Sequence, residues 1–257
     1  MKVVILAGGY GSRLSEETEI KPKPLVEIGG MPILWHIMKS YSHFGYNEFI
    51  ICLGYKGYII KEFFSNYFLH KTDVTVDLQN NKVLEHSTEA EPWKITLVDT
   101  GKDSMTGGRI KRIKNHTGNE TFMLTYGDGV SNVDIKSLVS HHQKNDSVCT
   151  LTSVQPEARF GALNINKQNK ITSFQEKPKG DGIWINGGFM VCEPEIFDFI
   201  EDDQSILESF TLPKLADQGL LSTYKHEGFW SPMDTRRDML KLNALWESRN
   251  AKWKLWK

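Results

Sequence analysis

An apolar run, Val3–Ala7, ends abruptly in Gly8-Gly9-Tyr10-Gly11-Ser12-Arg13-Leu14. Unbroken aliphatic residues predict a buried strand over Val3–Leu6. In an open α/β sheet the ligand crevice lies beyond the carboxyl ends of the strands, which is where this loop falls. Three glycines in four positions let backbone N–H groups approach a phosphate chain with no Cβ in the way. Two familiar loops are excluded. The dinucleotide fingerprint G-x-G-x-x-G fails because Leu14 stands at the third glycine, and a Walker A loop fails because no Gly-Lys-Ser/Thr follows. The loop carries instead Ser12, a hydroxyl donor, and Arg13, a planar cation suited to phosphate oxygens.

Ten residues on comes Lys21-Pro22-Lys23-Pro24. The prolines predict an extended segment, in which Lys21 and Lys23 share a face. Such a stretch alone is also an ordinary solvated loop; beside the glycine cradle it becomes a second source of positive charge for a polyphosphate. That charge is local, because 31 basic residues against 32 acidic leave a net charge of −1. Bulk electrostatics therefore gives no reason to expect nucleic-acid binding. The five-residue apolar start is too short for a signal-peptide core or a membrane span. Cys52, Cys149 and Cys192 are widely spaced in apolar runs and read as reduced core residues, so a cytoplasmic setting is expected.

Strand and helix patterns alternate along the first 145 residues. Val3–Leu6, Phe49–Leu53 and Phe122–Thr125 read as buried strands; Pro32–Phe44, Lys56–Phe68 and Asp134–Lys144 read as helices, followed by a strand over Val148–Thr152. Pro32 suits an opening helical turn. Farther on, Arg159–Asn166, Ile171–Glu176 and Trp184–Cys192 read as strands and Asp234–Arg249 as a helix. The alternation predicts an α/β fold, Rossmann-like, with a mixed, largely parallel central sheet and helices on both faces. With no repeat and no linker, residues 1–257 read as a single domain.

The stretch Leu6–Leu14 and the following Lys21-Pro22-Lys23-Pro24-Leu25-Val26 resemble the sugar-1-phosphate nucleotidyltransferases. Tyr126-Gly127-Asp128-Gly129, Glu176-Lys177-Pro178-Lys179-Gly180-Asp181-Gly182, Asn186-Gly187-Gly188-Phe189 and Gly228–Thr235 extend the likeness, which runs from Met1 to Lys257. The segment Pro32–Met38 and the Trp-rich end narrow it to members that use CTP and glucose 1-phosphate. The resemblance implies a sheet of the nucleotide-diphospho-sugar transferase type, with a nucleotide-binding part over about 1–130 and a sugar-binding part over about 131–257. It implies the reaction α-D-glucose 1-phosphate + CTP giving CDP-D-glucose + pyrophosphate, in the service of surface-polysaccharide synthesis. Mg2+ as cofactor and a homo-oligomer, a hexamer, come with it. Arg13 and Lys23 take catalytic roles, and the nucleotide contacts fall on Leu6, Ala7, Gly8, Gly9, Tyr10, Gly11, Ser12, Arg13, Lys23, Ser104, Arg109 and Gly127.

Asp128 stands at the end of a predicted central strand between two glycines, where a carboxylate is a natural Mg2+ ligand; its plainer reading is an Asp-Gly turn. Asp234 reads from sequence as a helix N-cap, and the resemblance makes it the second metal ligand. The resemblance also assigns Lys177 to the sugar phosphate and Glu176 to sugar hydroxyls, with Asn186 and Gly187 completing the sugar side. Ser104-Met105-Thr106-Gly107-Gly108-Arg109 resembles the segment that closes over the base, although Thr106 also reads as a helix N-cap. His141-His142 reads as a surface pair. Trp246, Trp253 and Trp256 have two places to pack, their own domain or a neighbouring subunit, and the subunit contact is the one expected. The same chemistry with UTP or dTTP, a non-catalytic sugar-nucleotide binder and a dinucleotide-dependent oxidoreductase are the competing readings.

Overall fold

Residues on the first strand alternate between two hydrophobic cores. In the computed structural model, which describes residues 1–156, 162–175 and 183–256, Val3 and Ile5 belong to one core and Val4 and Leu6 to the other. The same split holds for Phe49 and Ile51 against Ile50 and Cys52, and for Met123 against Phe122 and Leu124. Side chains of a strand point to opposite faces in turn, so a sheet covered on both faces needs an unbroken apolar run.

The central sheet has eight strands among the described residues. Numbered along the chain, they are β1 (Val3–Leu6), β2 (Glu48–Leu53), β3 (Lys94–Asp99), β4 (Phe122–Tyr126), β5 (Cys149–Val154), β6 (Ile185–Asn186), β7 (Met190–Cys192) and β8 (Leu221–His226). β1 lies between β2 and β4, parallel to both, with Leu6 opposite Cys52 and Tyr126. β3 continues beyond β2, also parallel. On the other side β7 runs antiparallel to β4, and β5 antiparallel to β6 and β7, with β8 parallel to β5. The sheet is thus mixed and mostly parallel, as the alternation predicts.

The helices are α1 (Ile33–His43), α2 (Gly57–Ser65), α3 (Thr106–Arg112), α4 (Ile135–His142) and α5 (Arg236–Glu247), with shorter turns between them. α1, α4 and α5 bury Ile37, Leu138 and Leu242 on one face of the sheet, and α3 buries Ile110 on the other. Several elements differ from the sequence reading. Pro32 does not enter the first turn of α1; it is extended, paired with Glu27, and serves as N-cap. The helix expected over Lys56–Phe68 breaks at Asn66, whose side-chain amide turns back to the Glu62 carbonyl at 2.9 Å. The strand expected over Trp184–Cys192 is two, separated at Gly187-Gly188-Phe189.

His142 is not a surface residue. It is buried, with its ring nitrogens 2.7 Å from Thr150 Oγ1 and 2.9 Å from Glu193 Oε1. The C-terminal tryptophans also depart from expectation, because they pack on their own chain. Trp253 is fully buried and stacks at 5.4 Å on Phe229, while Trp246 and Trp256 flank the ring of His36. The cysteines are buried free thiols as expected; Cys149 and Cys192 nonetheless face each other across β5 and β7, sulfurs 3.7 Å apart.

Candidate active site

Because β1, β2 and β4 are parallel, their carboxyl ends reach the same edge of the sheet. The loop after β1 and the loop after β4 are stitched together there, the Gly127 N–H donating to the Leu6 carbonyl at 2.9 Å. A cavity of about 600 Å3 opens at this edge. Leu6, Ala7, Gly8, Gly9, Tyr10, Gly11 and Ser12 line it, with Lys23, Ser104, Arg109, Gly127, Asp128 and Asp234. The sequence-predicted nucleotide loop and both predicted metal ligands therefore meet in one place. Arg13 is carried by the 3-10 turn Ser12–Leu14 that follows the loop directly.

Asp128 and Asp234 are brought together by a small ribbon. Gly129–Ser131 pairs antiparallel with Trp230–Pro232, and the Met233 N–H donates to the Asp128 carbonyl at 2.8 Å. Asp234 does not cap the following helix. Thr235 does, in a reciprocal capping box with Asp238, which leaves the Asp234 carboxylate turned to the cavity. Both carboxylates converge on one ammonium: Lys23 Nζ lies 2.7 Å from Asp128 Oδ2 and 2.6 Å from Asp234 Oδ1. Burial alone would lower the Lys23 pKa; the charge of Asp128 and hydrogen bonds to both carboxylates outweigh it and hold the pKa above the ordinary lysine value. Lys21 takes a different course from Lys23. The extended path ends at Pro22, Lys23 begins a 3-10 turn, and Lys21 pairs with Glu27 at 2.8 Å, away from the cavity.

Arg109 is almost fully buried and works as a clamp. Its Nη1 donates to the Leu53 carbonyl, Thr100 Oγ1 and the Gly101 carbonyl at 3.1, 3.0 and 2.7 Å; its Nη2 donates to the carbonyls of Gly8 and Lys102 at 3.0 and 3.2 Å. Burial lowers its pKa. A Cβ on Gly8 would lie 2.3 Å from Arg109 Nη1, so only glycine admits the guanidinium against the loop. Ser104 lies buried in the segment ahead of α3. Thr106 does not cap α3; its hydroxyl instead donates to Glu208 Oε2 at 2.7 Å.

On the sugar side, Asn186 and Gly187 stand behind Tyr126 and do not line the cavity. Asn186 Nδ2 donates to the Tyr126 hydroxyl at 3.2 Å, and the Gly187 N–H donates to the Thr152 carbonyl at 2.8 Å. Glu176 and Lys177 lie outside the described residues. Sequence reasoning missed Tyr126, Asp103 and Gln204 as wall residues. Tyr126 was within reach, since it directly precedes Gly127-Asp128. Asp103 carries no local signal; it accepts the Tyr10 hydroxyl at 2.9 Å, a bond that raises the Tyr10 pKa.

Two carboxylates from a strand end and a helix entrance, already holding one cation between them, suit a divalent ion that completes its shell with phosphate oxygens and water. No cluster of three or more His, Cys, Asp or Glu is found among the described residues.

Residues 2–249 match the family described as Nucleotidyl transferase. The chain belongs to that family. This nucleotidyl transferase is 55% identical over 257 residues, the whole of both chains, to the glucose-1-phosphate cytidylyltransferase of Salmonella typhimurium (strain LT2). It is 44% identical, again over the whole of both chains, to the probable glucose-1-phosphate cytidylyltransferase of Bacillus subtilis (strain 168). Its fold is similar to that of HddC from Yersinia pseudotuberculosis, with a TM-score of 0.69 at 25% identity over 95% of this chain and 99% of that one. A UDP-glucose pyrophosphorylase shares the fold at a TM-score of 0.68 and 16% identity, over 96% of this chain and 98% of that one. Membership in the family sets aside the dinucleotide-dependent oxidoreductase.

Proposed function

We propose that this nucleotidyl transferase moves a cytidylyl group from CTP to α-D-glucose 1-phosphate, forming CDP-D-glucose and releasing pyrophosphate. The observation that carries the reading is the end-to-end 55% identity to a glucose-1-phosphate cytidylyltransferase. The geometry agrees with it. The glycine loop, Lys23, Asp128 and Asp234 share one cavity at the carboxyl edge of the sheet.

The sugar phosphate oxygen that attacks the α-phosphorus is already anionic at neutral pH, so no general base is required. The site has to align two polyanions and stabilise the charge that develops on the α-phosphoryl oxygens and the departing pyrophosphate. In this reading the Gly8–Ser12 amides and Arg13 hold the β- and γ-phosphates, and Lys23 turns from the carboxylates to the α-phosphate. Lys177 holds the sugar phosphate, while Glu176, Asn186 and Gly187 meet the sugar. Asp128 and Asp234 would hold a divalent ion, and Mg2+ is the ion their oxygens suit. When bound, that ion supplies positive charge against the phosphate oxygens. The nucleotide side corresponds to residues 1–130 or so and the sugar side to about 131–257, within one catalytic domain.

We also propose a cytoplasmic homo-oligomer, a hexamer, acting in surface-polysaccharide synthesis. No helix among the described residues is long and apolar enough to cross a membrane. The exposed aliphatic side chains of the hairpin formed by Thr72–Asp77 and Lys82–Thr88, among them Val76 and Leu84, are in keeping with contact between subunits. Sedimentation equilibrium tests the subunit number. The chemistry is tested by pyrophosphate release with glucose 1-phosphate and each of the four NTPs or dTTP, plus Mg2+. CTP alone should support fast turnover. Comparable rates with UTP or dTTP would overturn the base assignment, and no release with any nucleotide would overturn the transferase reading.

A further inference from the structure

Glu208 bridges the two walls of the cavity. It lies in a single π-helical turn, Leu207–Thr211, a conformation that is rare and recurs at functional sites. This turn is seated on the start of α3. A Cβ on Gly107 would stand 2.6 Å from the Ser205 carbonyl oxygen and one on Gly108 only 2.3 Å from that of Asp203, so the two glycines admit the 203–205 backbone against the helix. The Met105 N–H donates to the Asp203 carbonyl at 2.8 Å, and the Leu207 N–H to Thr106 Oγ1 at 2.9 Å. From this seat the Glu208 carboxylate accepts the Thr106 hydroxyl on Oε2 at 2.7 Å and the Tyr126 hydroxyl on Oε1 at 2.6 Å.

Donor and acceptor counts fix the direction of every bond in this chain. A carboxylate only accepts, so the single Tyr126 hydroxyl proton goes to Glu208. The Tyr126 oxygen is then left to accept, and Asn186 Nδ2 donates into it at 3.2 Å. Asn186 Oδ1 is taken by the Gly188 N–H at 2.9 Å. The amide is thereby locked in one orientation, and its remaining N–H is the donor it can offer a ligand. Burial, with the charge of Glu208, raises the Tyr126 pKa and keeps the phenol protonated.

We propose that Glu208 is a positioning residue for the sugar phosphate: acting through Tyr126, it fixes the Asn186 amide as a hydrogen-bond donor to a sugar oxygen. The proposal rests on the reading of Asn186 as a sugar contact given above. Without Glu208, the Tyr126 proton loses its acceptor and competes with the Gly188 N–H for Asn186 Oδ1, which unlocks the amide.

The test compares KM for both substrates and equilibrium binding of glucose 1-phosphate in the wild type, Glu208→Ala, Glu208→Gln, Tyr126→Phe, the Glu208→Ala/Tyr126→Phe double variant and Asn186→Ala. Loss of one oriented hydrogen bond should raise the KM for glucose 1-phosphate about tenfold in Glu208→Ala, with the CTP value held within about twofold. Glu208→Gln should recover most of the loss, since its carbonyl still accepts the Tyr126 proton. The double variant should bind sugar phosphate no worse than Tyr126→Phe, because Glu208 acts through that hydroxyl. Additive losses in the double variant, equal rises for both substrates in Glu208→Ala, or unchanged sugar-phosphate affinity in Asn186→Ala would each overturn the proposal. Failure of the wild type to form CDP-glucose overturns the cytidylyl reading instead, while the binding cycle still decides the role of Glu208.

Discussion

Lys23 is held by the two carboxylates that the proposed metal would occupy, and this gives one residue two measurable roles. As a donor that stabilises charge in the transition state, it should cost about 10²–10³-fold in kcat when replaced by Met. Its second role is structural. The Lys23 side chain is only 12% exposed between Asp128 and Asp234, so Lys23→Met leaves two like charges facing each other. Both carboxylates retain access to water, which keeps the penalty near 1 kcal/mol instead of the larger cost of breaking a fully buried pair. For a chain of this size that corresponds to a fall in Tm of about 2–4 °C, and added Mg2+ should recover it. Thermal melts of wild type and variant with Mg2+ or EDTA check both halves; an unchanged metal-free Tm would show that Lys23 does not screen the pair. The sign of the pH effect follows from the raised pKa. The Lys23 contribution is complete below the ordinary lysine value near 10.4 and is lost only as pH climbs through the higher folded value, so neutral-pH assays see it whole.

The C-terminal segment and α1 form one aromatic unit around His36. The ring is buried, with Nε2 2.8 Å from the Ile28 carbonyl and Nδ1 3.4 Å from Trp253 Nε1. A neutral ring with its proton on Nε2 satisfies both partners, donating to the carbonyl and accepting from the indole. Burial pushes the His36 pKa down to about 4. Because the folded value lies below the unfolded value near 6.5, the stabilisation from a neutral His36 is present above pH 6.5 or so and is lost as pH falls towards 4. Burial also lowers the pKa of His226, which adds to the same acid limb. Stability measured by urea unfolding should therefore decline across that window, and His36→Gln should flatten the decline; an unaltered slope in the variant would remove His36 as its source. Trp253→Ala should cost about 3–5 kcal/mol in the same assay, as for deleting a fully buried aromatic side chain. A tail bound only to a neighbouring subunit would give a loss that varies with protein concentration, whereas packing on its own chain gives one that does not.

Across the whole molecule, the cavity draws on both halves of the chain, and so does the core. Met233, Leu242 and Trp253 join Val3, Ile37 and Met123 in a single hydrophobic cluster. A fragment of residues 1–144 should therefore lack cooperative unfolding by circular dichroism, and a sharp melt would show that the first half folds without the second. Much of the design was legible in the chain. The run Val3–Leu6 could only be a doubly covered strand, and the glycines after it marked a tight, closely approached backbone at its carboxyl end. The run before Asp128 set that carboxylate at a strand end, because period and turn chemistry are local properties. Other features are invisible to local pattern. Asp234 looked like a helix cap until Thr235 and Asp238 were seen to cap each other, and only the 129–131/230–232 ribbon could bring it to Asp128 across 106 residues of sequence. His142 and the three tryptophans carry no mark of which surface covers them. Arg109 gives no hint that its donors close on carbonyls from three separate segments. The sequence by itself determined the strands of the central sheet and the glycine loop that lines the cavity, since propensity and periodicity act over a few residues. Tertiary structure alone decided which side chains share the cavity and which disappear into the core, since that depends on strand order and packing between residues far apart in the chain.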